Sequence, residues 1–123
     1  MSKPNASTQI KAIFVALLLF SGQALAADAN VTAQVNRVLV VGGATYGGCM
    51  AALSVNPSSM LPSCQDWWVS FSCSGDFTDR VRAYQMLDSA KLALATGKKL
   101  HVFFRDDMTH NGYCFAHRID VIR

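Results

Sequence analysis

Four cysteines, Cys49, Cys64, Cys73 and Cys114, follow a segment built like an export signal, and together they restrict what this chain can fold into. Lys3 and Lys11 give a basic start, Ala12 to Phe20 is an unbroken apolar run, and Ala24-Leu25-Ala26 has the small-x-small form of a cleavage site. An apolar run of that length falls short of the roughly 20 residues a membrane-spanning helix needs, whereas the three-part pattern is that of a secretory signal peptide. Residues 1–26 are therefore expected to be removed, which leaves a secreted or periplasmic protein with no membrane span. An even number of cysteines in a small exported chain reads as a disulfide framework. Their separations of 15, 9 and 41 residues contain no C-x-x-C pair, which argues against the usual redox motif and the common zinc spacings.

Subtracting 26 from 123 leaves 97 residues, enough for one small domain. Outside the signal segment nine Lys and Arg face eight Asp, and the chain has no Glu. A net charge near +1 lacks the clustered basic face that nucleic acid requires, so no nucleic-acid partner is expected.

The expected domain begins with a loose polar arm, residues 27–36, ahead of a domain over residues 37–123. Arg37 to Val41 reads as a buried strand and Gly42 to Gly48 as a turn. Cys49 to Val55 alternates as a second strand, and Asn56 to Asp66, with two prolines and three serines, is a loop. Trp67 to Cys73 alternates most clearly. Trp67, Val69, Phe71 and Cys73 are expected to point into the core, with Trp68, Ser70 and Ser72 on the other face. Thr78 or Asp79 caps a helix running to Thr96, stopped by Gly97, with Ala83, Met86, Leu87, Ala90, Ala93 and Leu94 at helical spacing. Lys98 to Phe104 and Tyr113 to Ile122 complete the strands, joined by a solvated turn from Arg105 to Gly112. The order β-β-β-α-β-β predicts a mainly β fold with one helix (α+β): an OB-like five-stranded Greek-key barrel in which the last strand lies parallel to the third.

That layout favours one disulfide pairing. The second and third strands form a hairpin that sets Cys49 opposite Cys73, and the starts of the parallel third and fifth strands bring Cys64 to Cys114. The rival pairing, Cys49–Cys64 with Cys73–Cys114, asks the second bridge to cross about 20 Å, against a limit of about 7 Å between Cα atoms.

Tyr84 to Phe104 (YQMLDSAKLALATGKKLHVFF) resembles the helix-to-strand segment, with its Thr-Gly turn, of the B subunits of subtilase-cytotoxin-like and typhoid-toxin-like bacterial toxins. Leu94 to Lys99, Asn111 to Phe115 (NGYCF) and Arg118 to Val121 (RIDV) are also similar to a group of short exported bacterial proteins of unassigned role. The resemblance covers about half of the domain. It implies an OB-type, non-enzymatic, pentamer-forming module that binds glycans, and hence a homo-oligomer with a glycan or protein ligand. The family carries a hydroxyl residue and an aromatic a few positions before the first cysteine; Thr45 and Tyr46 stand there in this chain, followed by Gly47 and Gly48 where the family is bulkier.

From the residues themselves, Thr45 and Tyr46 offer a hydroxyl and a stacking ring, and Trp68 is an indole on the serine-bearing face of its strand. These three are the candidate glycan-binding residues. The other reading is a stand-alone exported protein-binding or structural protein with no sugar site. Gly42 to Gly48 lacks the Gly-Lys-Ser/Thr ending of a phosphate-binding loop, and Asp106-Asp107 lacks calcium-loop spacing. His101, His110 and His117 show no metal-ligand spacing, and no G-x-S-x-G elbow marks a hydrolase. Neither catalysis nor a cofactor or metal is expected.

Overall fold

Alternation of small apolar and polar residues from Ala27 onward makes the first strand far longer than its composition suggests. In this computed structural model, which describes Ser2 and residues 25–123, β1 spans Asp28–Val40. The expected signal segment lies almost wholly outside the described residues. The loose arm expected over residues 27–36 is corrected: Ala33 and Val35 are buried, Ala29 and Val31 pack against the core, and Asp28, Asn30, Thr32 and Gln34 face solvent. The physical reason is pairing. Asp28 to Gln34 runs antiparallel to Arg105 to Lys99, and the Asp106 carboxylate accepts the Ala27 N–H at 2.9 Å. After a register shift at Asn36 the same strand continues, antiparallel, along Leu53 to Cys49.

β2 spans Cys49–Leu53 and is buried on both faces. It stops two residues before the expected end, because the Ser54 N–H turns to the Gln34 carbonyl at 2.9 Å. β3 is only Trp68–Ser70, bracketed by left-handed backbone at Trp67 (φ 69°) and Ser72 (φ 60°). Val69, Phe71 and Cys73 are buried as expected, but Trp67 is not a core residue; it is 50% exposed. Its N–H is held by Asn56 Oδ1 at 3.1 Å and its carbonyl accepts the Leu53 N–H at 2.8 Å. The backbone therefore turns at Trp67, and the alternation starts one residue later.

The single α-helix, α1 (Arg80–Thr96), forms where capping and spacing require it. The Asp79 carboxylate accepts the Arg82 N–H at 2.9 Å, and Gly97 ends the helix at φ 68°. Its buried residues are Ala83, Leu87, Ala90 and Ala93. Three alanines in that stripe let the helix axis approach the barrel closely, mainly at β1 and β5.

β4 (Lys99–His110) and β5 (Tyr113–Ile122) form a hairpin closed by Asn111 and Gly112, both at positive φ (54° and 83°), as a two-residue primed turn requires. The solvated turn expected from Arg105 is corrected, since β4 continues to His110. Register shifts at Phe103–Phe104 and between Arg105 and Thr109 carry the pairing through the polar stretch. The strands close in the order β1-β2-β3-β5-β4, with Ser70 of β3 opposite Phe115 of β5 in parallel. The expected OB-like closed sheet, with the helix between β3 and β4, is the fold observed.

Both disulfides take the favoured pairing. Cys49–Cys73 has Cα atoms 5.5 Å apart and Cys64–Cys114 5.3 Å, and all four cysteines are buried. They close sequence separations of 24 and 50 residues, and each stabilises the domain by about 3–4 kcal/mol in the chain-entropy picture. Such bridges point to an oxidising, extracytoplasmic environment. Among the described residues no helix is long and apolar enough to cross a membrane.

Candidate functional site

The turn between β1 and β2 is a short 3-10 segment, Thr45–Gly48, with Tyr46 (φ 56°) and Gly47 (φ 72°) in left-handed backbone. That geometry swings the Tyr46 ring over the barrel wall. Groups distant in sequence then fix it: the Tyr46 N–H donates to Asn111 Oδ1 at 3.0 Å, and its carbonyl accepts from Ser70 Oγ at 2.9 Å. Both backbone polar groups of Tyr46 are thus satisfied from outside the turn, which fixes the main chain that carries the ring. It forms a T-shaped pair with the ring of Tyr113, at a centroid distance of 5.6 Å and an interplanar angle of 84°.

Tyr46, Tyr113 and Trp68 line a cleft of about 150 Å³ with Leu39 and Met50. Trp68 is half-buried, and the Arg37 guanidinium sits 5.5 Å from its ring centroid. Chemically this is an apolar, aromatic-walled recess with phenol hydroxyls, suited to a ligand that presents C–H surface to the rings and hydroxyls to the rim. Of the three residues nominated from the sequence, Tyr46 and Trp68 meet here. Thr45 is exposed beside the cleft and does not line it. Tyr113 was missed. Its signal was its place directly after Asn111-Gly112, where a two-residue turn returns it beside the strand it left.

Close to the cleft lies a polar cluster of Ser72, His110 and Asp76, of which His110 was expected in a solvated turn. His110 is corrected from a hairpin-tip residue to a nearly buried one, its side chain 9% exposed. Its Nε2 is 3.0 Å from Ser72 Oγ, and Phe77 packs on the ring at 4.4 Å. Asp76 Oδ2 lies 3.9 Å from Nδ1 and also accepts from Ser74 Oγ at 2.8 Å. Burial lowers the His110 pKa, and the Asp76 carboxylate opposes the shift. The trio Ser72, His110 and Asp76 has the composition of a hydrolytic triad, but Ser72 is fully buried and its hydroxyl accepts the Phe77 N–H at 3.1 Å. That hydroxyl is closed off from solvent, and on its other side the His110 ring packs directly against Gly47.

His101 is half-buried against Asn30 Oδ1 at 3.0 Å, and His117 is exposed beside Asp28 at 3.5 Å. Among the described residues no three His, Cys, Asp or Glu side chains converge as a metal site would need. Asp106 and Asp107 lie within β4 rather than in a loop, Asp106 bonded to Ala27 and Ser63, and Asp107 paired with Arg105.

Fold and cleft together define a small, disulfide-braced, OB-like barrel with one helix and an aromatic recess on its wall. No protein-family model, curated protein or solved structure matches the chain.

Proposed function

We propose that this protein is an exported, non-enzymatic carbohydrate-binding module that holds a sugar ring in the cleft of Tyr46, Trp68 and Tyr113. The observation that carries the reading is the convergence of Tyr46 and Trp68, 22 positions apart in sequence, on one recess that a third aromatic, Tyr113, also lines. Aromatic faces stack on the C–H faces of sugars, while tyrosine hydroxyls serve the ring substituents. The backbone bonds that fix Tyr46 reduce the ordering cost of binding. Thr45 does not line the cleft and is left out of the binding set. The motif resemblance to toxin B subunits supports the same class of ligand.

The test is a glycan array on the purified protein, followed by titration of any retained glycan against Tyr46→Ala, Trp68→Ala and Tyr113→Ala. Each substitution is expected to weaken binding about tenfold or more, as loss of a central aromatic anchor does. Unchanged binding in both Tyr46→Ala and Trp68→Ala would remove the cleft from consideration.

A second reading, a protein-binding or self-associating module, is favoured by one specific observation. The outward side of α1 exposes Val81 (68%), Leu92 (54%) and Tyr84 (48%). A silent glycan array together with a concentration-dependent mass in sedimentation would favour it.

A further inference from the structure

A second, larger groove of about 410 Å³ lies between α1 and β5, and its lining carries charge of one sign. Arg82 from the helix and His117 and Arg118 from β5 line it, with no carboxylate among the lining residues. Each of these basic groups does have an acid partner: Asp79 for Arg82 at 3.2 Å, Asp120 for Arg118 at 2.9 Å, and Asp28 for His117 at 3.5 Å. All three carboxylates stand outside the groove. The Arg82 and Arg118 guanidiniums, each paired with one of these carboxylates, are the permanent charges of the groove wall, and His117 adds one only when protonated.

The contacts also show which donors are left. Arg118 meets Asp120 through Nε and Nη2, and its guanidinium carbon lies 4.7 Å over the Phe103 ring. Its plane is thus held on two sides while Nη1 remains for another acceptor. Arg82 contacts Asp79 through Nε, leaving both terminal nitrogens. Thr78 and Gln85 add uncharged donors, and half-buried Met86 and Ile119 form an apolar floor. The planar donor fork of a guanidinium matches the oxygens of a phosphate or sulfate. A groove of this volume falls in the small-ligand range, larger than a bare oxyanion needs.

We propose that this groove binds a small ligand through a phosphate or sulfate group. The site is separate from the aromatic cleft. Tyr113 and Arg118 are five residues apart along β5, roughly 17 Å at strand rise, so this inference stands whether or not the cleft takes a sugar.

The experiment is a two-dimensional amide NMR titration of the ¹⁵N-labelled protein with glucose 6-phosphate, glucose 6-sulfate, inorganic phosphate and glucose. The esters are expected to shift the amides of Arg82, Gln85 and His117 to Ile119, and glucose is expected to leave them in place. Shifts with inorganic phosphate as large as those with the esters support the site and make the free anion its ligand. Shifts confined to the esters support it and add the sugar to the contact. Arg118→Gln and Arg82→Gln should each weaken ester binding by about tenfold, as loss of a charged hydrogen bond does. Both side chains are more than half exposed, so neither substitution threatens folding. Lys98→Gln removes the same charge outside the groove and should leave affinity within about twofold. Absent groove shifts, an equal loss in Lys98→Gln, or equal shifts with glucose would each overturn the proposal.

Discussion

The side chain of Asn111, at the tip of the β4–β5 hairpin, accepts the backbone N–H of Tyr46 at 3.0 Å across 65 residues of sequence. The residue that makes the hairpin turn possible, through its positive φ of 54°, is therefore also the one that holds the candidate ligand-binding ring. Fold and site share this contact, and the two roles separate by substitution. Asn111→Gly keeps the left-handed backbone and loses only the hydrogen bond, at a cost of about 1 kcal/mol. Asn111→Ala loses both and should cost about 2–3 kcal/mol. Urea midpoints of the two variants check the order, and glycan affinity should fall in both.

Gly47 and Gly97 share a left-handed backbone but not their surroundings. A Cβ on Gly47 would stand 2.5 Å from His110 Cδ2 and 2.5 Å from Ser70 Oγ, whereas one on Gly97 would meet nothing within 4 Å. Gly97→Ala should therefore cost only the backbone strain, about 1–2 kcal/mol. Gly47→Ala adds overpacking of a buried contact and should cost about 3–5 kcal/mol. Thermal or urea denaturation of the pair measures the difference, and equal losses would show that the His110 contact is not tight.

Each disulfide should be separately dispensable for the barrel topology and costly for stability. Replacing Cys64 and Cys114 by alanine, or Cys49 and Cys73, is expected to lower stability by about 2–5 kcal/mol. The longer loop, 50 residues against 24, makes the Cys64–Cys114 pair the more expensive loss by about 0.6 kcal/mol. Non-reducing peptide mapping of the wild-type protein should recover Cys49 with Cys73 and Cys64 with Cys114.

Acid should loosen the cluster close to the cleft. The groups around His110 are Ser72, the Phe77 ring, Gly47 and the Asp76 carboxylate, with Tyr113 opposite it in the hairpin register. Its folded-state pKa is lowered from 6.5 by burial, against the pull of Asp76. As pH falls below 6.5 the unfolded chain takes up the proton first, so stability drops until the pH passes the folded-state value and then levels off. Above 6.5 this group adds no pH dependence. Urea midpoints between pH 8 and pH 5 should decline in the wild type and flatten in His110→Asn, although that variant starts lower because Ser72 loses its contact with His110 and keeps only the Phe77 N–H. A steeper decline in the variant would contradict the assignment.

Local chemistry within the chain determined α1, whose Asp79 cap and Gly97 stop are read from neighbouring residues, and β5, which follows a turn that Asn111 and Gly112 specify alone. Strand order then favoured the observed disulfide pairing over its rival, because a bridge has a short reach and the Cys73–Cys114 bridge of the rival would have exceeded it. What lay beyond the sequence were the states set by distant partners. Ala27 to Asn36 carries too little apolar surface to declare a strand, and becomes one because the open edge of β4 needs its hydrogen bonds to close the ring. Trp67 has the phase of a core residue, but Asn56 and Leu53 hold its backbone in a turn that faces the indole outward. His110 sits in a polar stretch that reads as a solvated tip, and only barrel closure brings Ser72 and Phe77 around it. The cleft follows the same rule: Tyr46 and Trp68 can be nominated one by one, but Tyr113 joins them only when the hairpin folds back, since packing between distant segments is decided by the tertiary structure.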